Sequence, residues 1–164
     1  MASTGLIHTV LIATTSGNIL HSHHYDTTNE EHWNRRDRLI LDLTRDMWPR
    51  ESSNFTAPTV TSFIDDTDGI SKVLAFSQCN DLMFFVVGSG EYDEMVLSEL
   101  VQSIWGALRI VCCNEGLVNE ANVLKEYRKL ILALDDIIVG GITNLIDPDL
   151  ISASASMSLD KARK

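Results

Sequence analysis

Six consecutive apolar residues, Leu82-Met83-Phe84-Phe85-Val86-Val87, lead into a long helical pattern from Glu91 to Cys112, and together they restrict the folds open to this chain. A half-buried strand alternates apolar with polar residues. A run without alternation is buried on both faces and belongs in the middle of its sheet. The helix that follows gathers Val96, Leu97, Leu100, Val101, Ile104, Trp105, Leu108 and Val111 on one side. At about 100° per residue these positions cover roughly half the circumference, leaving Ser98, Glu99, Gln102 and Arg109 on the other. A face so broad must lie across a sheet or between partners, so this helix is the expected spine of a small α/β domain.

The flanking segments supply the rest of a sheet. Leu6 to Thr14 and Ile19 to Tyr25 are β-rich, and Ser16-Gly17-Asn18 between them has turn chemistry, which predicts a hairpin. An amphipathic helix is expected from Asn29 to Trp48, with Trp33, Ile40, Leu43 and Met47 inward, Leu39 and Leu41 at the flanks, and Pro49 as its stop. Arg50 to Ala57 is a polar loop. Pro58 to Ile64 reads as a third strand, Asp65 to Gly69 as a turn and Lys72 to Cys79 as a fourth strand, which Asn80-Asp81 turns into the buried fifth. Beyond the break at Asn114-Glu115-Gly116, one helix is expected from Asn119, its N-cap, to Val139, with Gly140-Gly141 ending it. Asp147-Pro148 predicts the opening of a short last helix. The order is β-β-α-β-β-β-α-α: an α+β fold, a five-stranded antiparallel sheet flanked by helices, in a single domain over 1–151 with a flexible tail over 152–164.

A length of 164 residues suits one domain that needs no disulfide or metal to hold its core. The net charge of −10 argues against nucleic acid as a ligand and against unaided binding to anionic lipid, since both require Lys and Arg at phosphates. Cys79, Cys112 and Cys113 are an odd number without framework spacing, expected to be buried reduced thiols. No secretory leader or membrane-spanning run is recognisable, and Ala2 excludes the myristoylation pattern, so the expected compartment is the cytosol and the sequon Asn54-Phe55-Thr56 has no role there.

Candidate chemistry is sparse. His21 and His23 share one face of the second strand, with His24 opposite and His8 on the first strand. The pair is half a zinc site that nothing nearby in sequence completes, and a polar strand face is the preferred reading. In Asp65-Asp66-Thr67-Asp68-Gly69 the calcium-loop count fails at Ile64 and Ala75, leaving a turn. Asp135 and Asp136 are adjacent and diverge by about 100° on a helix, which suits solvent or a partner better than acid–base work. Arg35, Arg36, Arg38 and Arg45 are read as a solvated face. No phosphate-binding loop, nucleotide fingerprint or nucleophile elbow is found. The chain reads as a non-catalytic subunit, with no cofactor and no metal.

The element order is similar to that of longin (SNARE-like) domains, and three segments sharpen the likeness. Leu134-Asp135-Asp136-Ile137-Ile138-Val139-Gly140-Gly141 followed by Asp147-Pro148 resembles the C-terminal pattern of the small chains of coat complexes, notably the ζ subunit of coatomer. Val10-Leu11-Ile12-Ala13 with Ser16-Gly17-Asn18-Ile19-Leu20 fits their opening hairpin. Gly90-Glu91-Tyr92-Asp93-Glu94, with Glu31-His32-Trp33, looks most like the σ-like small subunit of TSET/TPLATE adaptor complexes. The resemblance implies a subunit clasped by the N-terminal solenoid of a large adaptin-like chain, beside a second large chain and a medium (μ-like) chain. It also implies a cytoplasmic protein recruited peripherally to the plasma membrane for endocytosis and vesicle formation, or to the Golgi if coatomer-like. Some σ chains bind dileucine peptides in an apolar pocket near the spine helix. By register Leu82, Trp105 and Asn114 fall near it, and Trp105 is large enough to fill it. Two rivals are a longin subunit of a TRAPP-like GTPase-exchange complex and a metal enzyme using the histidines.

Overall fold

A computed structural model describes residues 5–27, 29–48, 55–66, 68–114 and 116–144. The expected last helix at Asp147-Pro148, the tail over 152–164, Pro49 and Asn54 lie outside the described residues. Five strands form one sheet: β1 (Leu6–Thr14), β2 (Ile19–His24), β3 (Thr59–Ile64), β4 (Ser71–Cys79) and β5 (Leu82–Ser89). Their spatial order is β2-β1-β5-β4-β3 and every neighbouring pair is antiparallel. The unalternating run therefore occupies the centre, as its composition requires: Leu82 to Gly88 are all buried, with Leu11 opposite Phe85 on one side and Phe76 opposite Phe85 on the other.

Helices cover both faces and divide the core in two. Below the sheet, Leu11, Ala13, Phe63, Leu74, Phe76, Met83, Phe85 and Val87 pack on Ile40 and Leu41 of α1 (Glu30–Thr44). Above it, Ile7, Val10, Ile12, Phe84 and Val86 pack on α2 (Glu94–Val111), α3 (Glu120–Lys125) and α4 (Tyr127–Ile137). The spine helix starts three residues later than its pattern suggested, because Asp93 caps it, accepting the Val96 N–H at 3.1 Å. Gly88 lets it lie close: a Cβ there would sit 3.0 Å from Leu97 Cδ2 of the helix and 2.8 Å from Tyr92 Cβ just ahead of it.

Four expectations are corrected. The inward face of α1 is Arg36, Asp37, Ile40, Leu41 and Thr44, whereas Leu43 and Met47 are 41% and 42% exposed. Arg36 is thus no part of a solvated face; it is buried because the loops beneath supply carboxylates. The single helix from Asn119 is two, since Glu126 leaves helical geometry at φ −115°, ψ 36° between α3 and α4. Gly140-Gly141 is not a helix stop but the turn of a two-stranded hairpin, β6 (Ile138–Val139) and β7 (Ile142–Thr143). Both glycines have positive φ, 60° and 84°, which a two-residue turn of type I′ needs at its two central positions. This hairpin docks beside β1, where the Gly141 carbonyl accepts the Ile7 N–H at 2.7 Å.

Candidate functional site

The three residues placed by register near an apolar pocket have different surroundings. Leu82 is wholly buried, opposite Thr14 and Cys79 in the ladder. Trp105 is half-buried, stacked on Phe55 at 4.7 Å between ring centroids, with the Arg109 guanidinium 5.8 Å from its ring. Its buried indole nitrogen has no hydrogen-bond partner among the described residues, and burial, partly opposed by Trp105, pushes the Cys79 thiol pKa up. Asn114 is exposed just past α2 with φ 48°. Leu82 therefore offers no surface to a ligand, and Phe55 occupies one ring face of Trp105.

The polar chemistry lies on the other side of the sheet, under α1. Asp65 is fully buried and accepts from Arg36 Nε at 2.7 Å and from Lys72 Nζ at 2.8 Å. Lys72, itself buried, also reaches Asp68 at 2.5 Å. Arg36 Nη1 donates to Asp26 at 2.6 Å, and His8 bonds Asp26 and Ser89 through its two ring nitrogens. The loops after β2 and β3 and the helix α1 are thus pinned to one another by paired charges. Burial works to raise the Asp26 pKa, but the bonds from His8 and Arg36 outweigh it and hold the carboxyl below the usual range. Sequence spacing contained a signal for this: Arg36 and Asp37 precede Ile40, Leu41 and Thr44 at helical intervals.

Ser22, His24 and Asp37 are the residue types of a hydrolytic triad without its wiring. His24 Nε2 bonds Asp37 Oδ1 at 2.9 Å and Ser22 Oγ at 3.0 Å, so one nitrogen faces both, while Nδ1 is bonded to Thr9. A working triad uses opposite ring nitrogens for the serine and the carboxylate. Ser22 Oγ moreover lies 2.9 Å from both Asp37 oxygens and donates there directly. The histidines of β2 diverge as strand alternation demands: His24 stacks over Trp33 on the α1 side, while His21 Nδ1 bonds the Tyr127 hydroxyl at 3.0 Å on the α4 side. Burial, with the His23 charge adding, lowers the His21 pKa to about 4. The Cys112 thiol is pushed up to about 12 by burial, then by Cys113 and Glu126, and Cys113 is raised chiefly by burial as well. All three cysteines are free thiols, protonated near neutrality and poor as nucleophiles or ligands.

Geometry of this kind organises a scaffold, and comparison with known proteins says which one. The model of the clathrin adaptor complex small chain matches residues 6–161, nearly the whole chain. This chain belongs to that family. Its members are generally structural, non-catalytic components of coats. Among curated relatives, the TSET complex member tstD of Dictyostelium discoideum is 30% identical over 159 residues, covering 97% of each chain. Coatomer subunit zeta-1 of Arabidopsis thaliana is 24% identical over 131 residues, covering 74% of this chain and 73% of its own. In structure, a chain in a homology model of the full-length AP-3 complex superposes with a TM-score of 0.58 at 20% identity, over 96% of this chain and 95% of that one. That likeness bears on the fold, which is the longin-like fold of adaptor small subunits. As a small chain of this family the protein is a component of an adaptor or coat complex, and among the described residues no helix is long and apolar enough to cross a membrane.

Proposed function

We propose that the protein is the σ-like small subunit of a heterotetrameric complex of the TSET/TPLATE type. In this reading a large adaptin-like chain holds it through an N-terminal solenoid, and a second large chain and a medium chain complete the core that it stabilises. The complex forms vesicles at the plasma membrane, and the subunit reaches the membrane only through its partners. The observation that carries the reading is the match to the TSET member, which runs over 97% of both chains, against about three quarters for coatomer zeta-1 at lower identity. The coatomer likeness supports a second reading as a ζ subunit working in Golgi transport. Affinity purification of the tagged chain from its own cells, with quantitative mass spectrometry, separates them. Two large adaptin-like chains and a medium chain without outer coatomer subunits are expected; recovery of whole coatomer would assign the ζ role. Small longin chains with a GTPase would point to an exchange complex instead, and the chain alone would sink both readings.

The subunit does not read dileucine cargo in this proposal. The support is the Phe55–Trp105 stack and the complete burial of Leu82, where a peptide side chain would need open apolar surface.

A further inference from the structure

The sheet ends at β2 in a row of main-chain groups that no strand among the described residues takes up. The Tyr25 N–H donates to the His8 carbonyl at 2.9 Å, and main-chain bonds alternate along an antiparallel ladder. In the register that pairs His23 with Val10 and His24 with Thr9, His21, His23 and Tyr25 turn their main chain toward β1, whereas Ser22 and His24 turn theirs outward. His24 bears this out: the residue is 8% exposed and its side chain 2%, so what is left open is chiefly main chain. Ile19-Leu20-His21-Ser22-His23-His24 carries neither lysine nor proline, two of the usual protections of a sheet edge, and the irregularity in its pairing falls at Leu20, ahead of Ser22 and His24.

A groove runs along each face of this edge. On the α1 side Glu30, Trp33 and Asp37 border a space of about 440 Å³; on the α4 side Asp135 and Val139 border one of about 760 Å³. Carboxylates line both, and neither has a lysine or arginine in its wall among the described residues. We infer that β2 is an augmentation edge, where an extended segment of another chain, bearing Lys or Arg, adds to the sheet beside Ser22 and His24 and lays its basic side chains in the two acid-lined grooves. Main-chain bonds give such a strand its hold, and the grooves select its side chains. A second copy of this chain is the wrong occupant: edge-to-edge pairing would bring the same carboxylates together on a protein of net charge −10. The inference rests on the coat-subunit reading only for the source of the strand, a neighbouring subunit.

The test compares the full-length chain free and within the assembly purified from its own cells. Amide exchange at Ser22 and His24 is fast in the free chain and slows roughly tenfold or more in the assembly, as for any newly bonded amide. Cross-linking mass spectrometry then places a Lys/Arg-bearing segment of a partner against β2. Ser22→Pro removes an outward N–H without touching the β1 ladder and releases that partner, whereas Ser22→Ala, which loses the same hydroxyl, retains it. The double charge reversal Glu30→Lys, Asp135→Lys leaves the strand itself intact and weakens the same contact. Equal exchange in both states, a partner segment without basic residues, or β2 of a second copy at this edge would overturn the inference. Slowed amides without adaptin-like chains would sink the coat-subunit reading alone; adaptin-like chains with fast amides would sink this inference alone.

Discussion

The Tyr92 hydroxyl accepts the Thr143 backbone N–H at 2.9 Å, joining the loop ahead of α2 to the last described strand. It ties Gly90-Glu91-Tyr92-Asp93-Glu94, one of the segments that carry the family resemblance, to the strand just past another, Leu134 to Gly141. Tyr92→Phe keeps the ring and removes the acceptor. A loss of about 1 kcal/mol is expected, seen as a lower urea midpoint at unchanged slope.

Gly140 and Gly141 share a turn but not a tolerance. A Cβ at Gly140 would meet nothing within 4 Å, while one at Gly141 would lie 2.3 Å from Leu6 Cδ1 and 2.9 Å from the Ile7 carbonyl oxygen. Gly140→Ala is expected to cost about 1–2 kcal/mol from its positive φ alone. Gly141→Ala should cost clearly more and loosen the Ile7–Gly141 bond, which exchange at the Ile7 amide would report.

Removing Arg36 leaves Asp26 and Asp65 facing each other's loops with their shared cation gone. Arg36→Ala should destabilise by about 3–5 kcal/mol, the range for breaking a buried pair from one side. Arg36→Lys should recover only part of this, because one ammonium cannot reproduce bonds made from both Nε and Nη1. Chemical denaturation of the three proteins at one pH decides it.

Two groups contribute to the acid limb of stability. The His21 pKa is about 4 when folded, lowered by burial and then by His23, against about 6.5 when unfolded. The unfolded chain therefore binds the proton more readily, and this stabilisation, complete above about pH 6.5, declines as the pH falls toward 4. Asp26 is held below its unfolded value of about 3.9, so its share persists to lower pH and is lost as the pH falls through its folded pKa. Urea midpoints from pH 7 to 3 should show His21→Gln flattening the upper part of the decline and Asp26→Asn the lower part.

Dileucine peptides should not bind the assembled subunit at micromolar concentration, by calorimetry or fluorescence anisotropy. Binding that Trp105→Asp abolishes in a folded protein would show that the Phe55–Trp105 stack opens.

Much of this architecture can be read before any coordinates. The run from Leu82 to Val87 could only be central, and the turn chemistry at Ser16-Gly17-Asn18 and Asn80-Asp81 sets two hairpins. The register of α1 was harder, because its apolar residues at 33, 40, 43 and 47 make a passable face by themselves. The face actually buried carries Arg36 and Asp37, whose burial depends on Asp26, Asp65 and Ser22 arriving from elsewhere in the chain. The break at Glu126 was masked since Val123, Tyr127, Leu130 and Leu134 keep helical phase across it. Gly140-Gly141 serves equally as a helix terminator or a hairpin turn, and only docking on β1 chooses between them. The outward main chain of β2 depends on pairing parity, which no side-chain pattern encodes.

The placement of β1 between β2 and β5 has a consequence for the chain during its own synthesis. The first hairpin leaves the ribosome early, yet Leu11 and Ile12 wait for Phe85 and Phe84, their partners across the ladder, until half of the 164 residues have been joined. Over that interval the nascent chain carries an apolar strand with one open side, the kind of surface that draws aggregation or a chaperone. Translation that stops before Ser89 would therefore release an insoluble fragment rather than a smaller folded one.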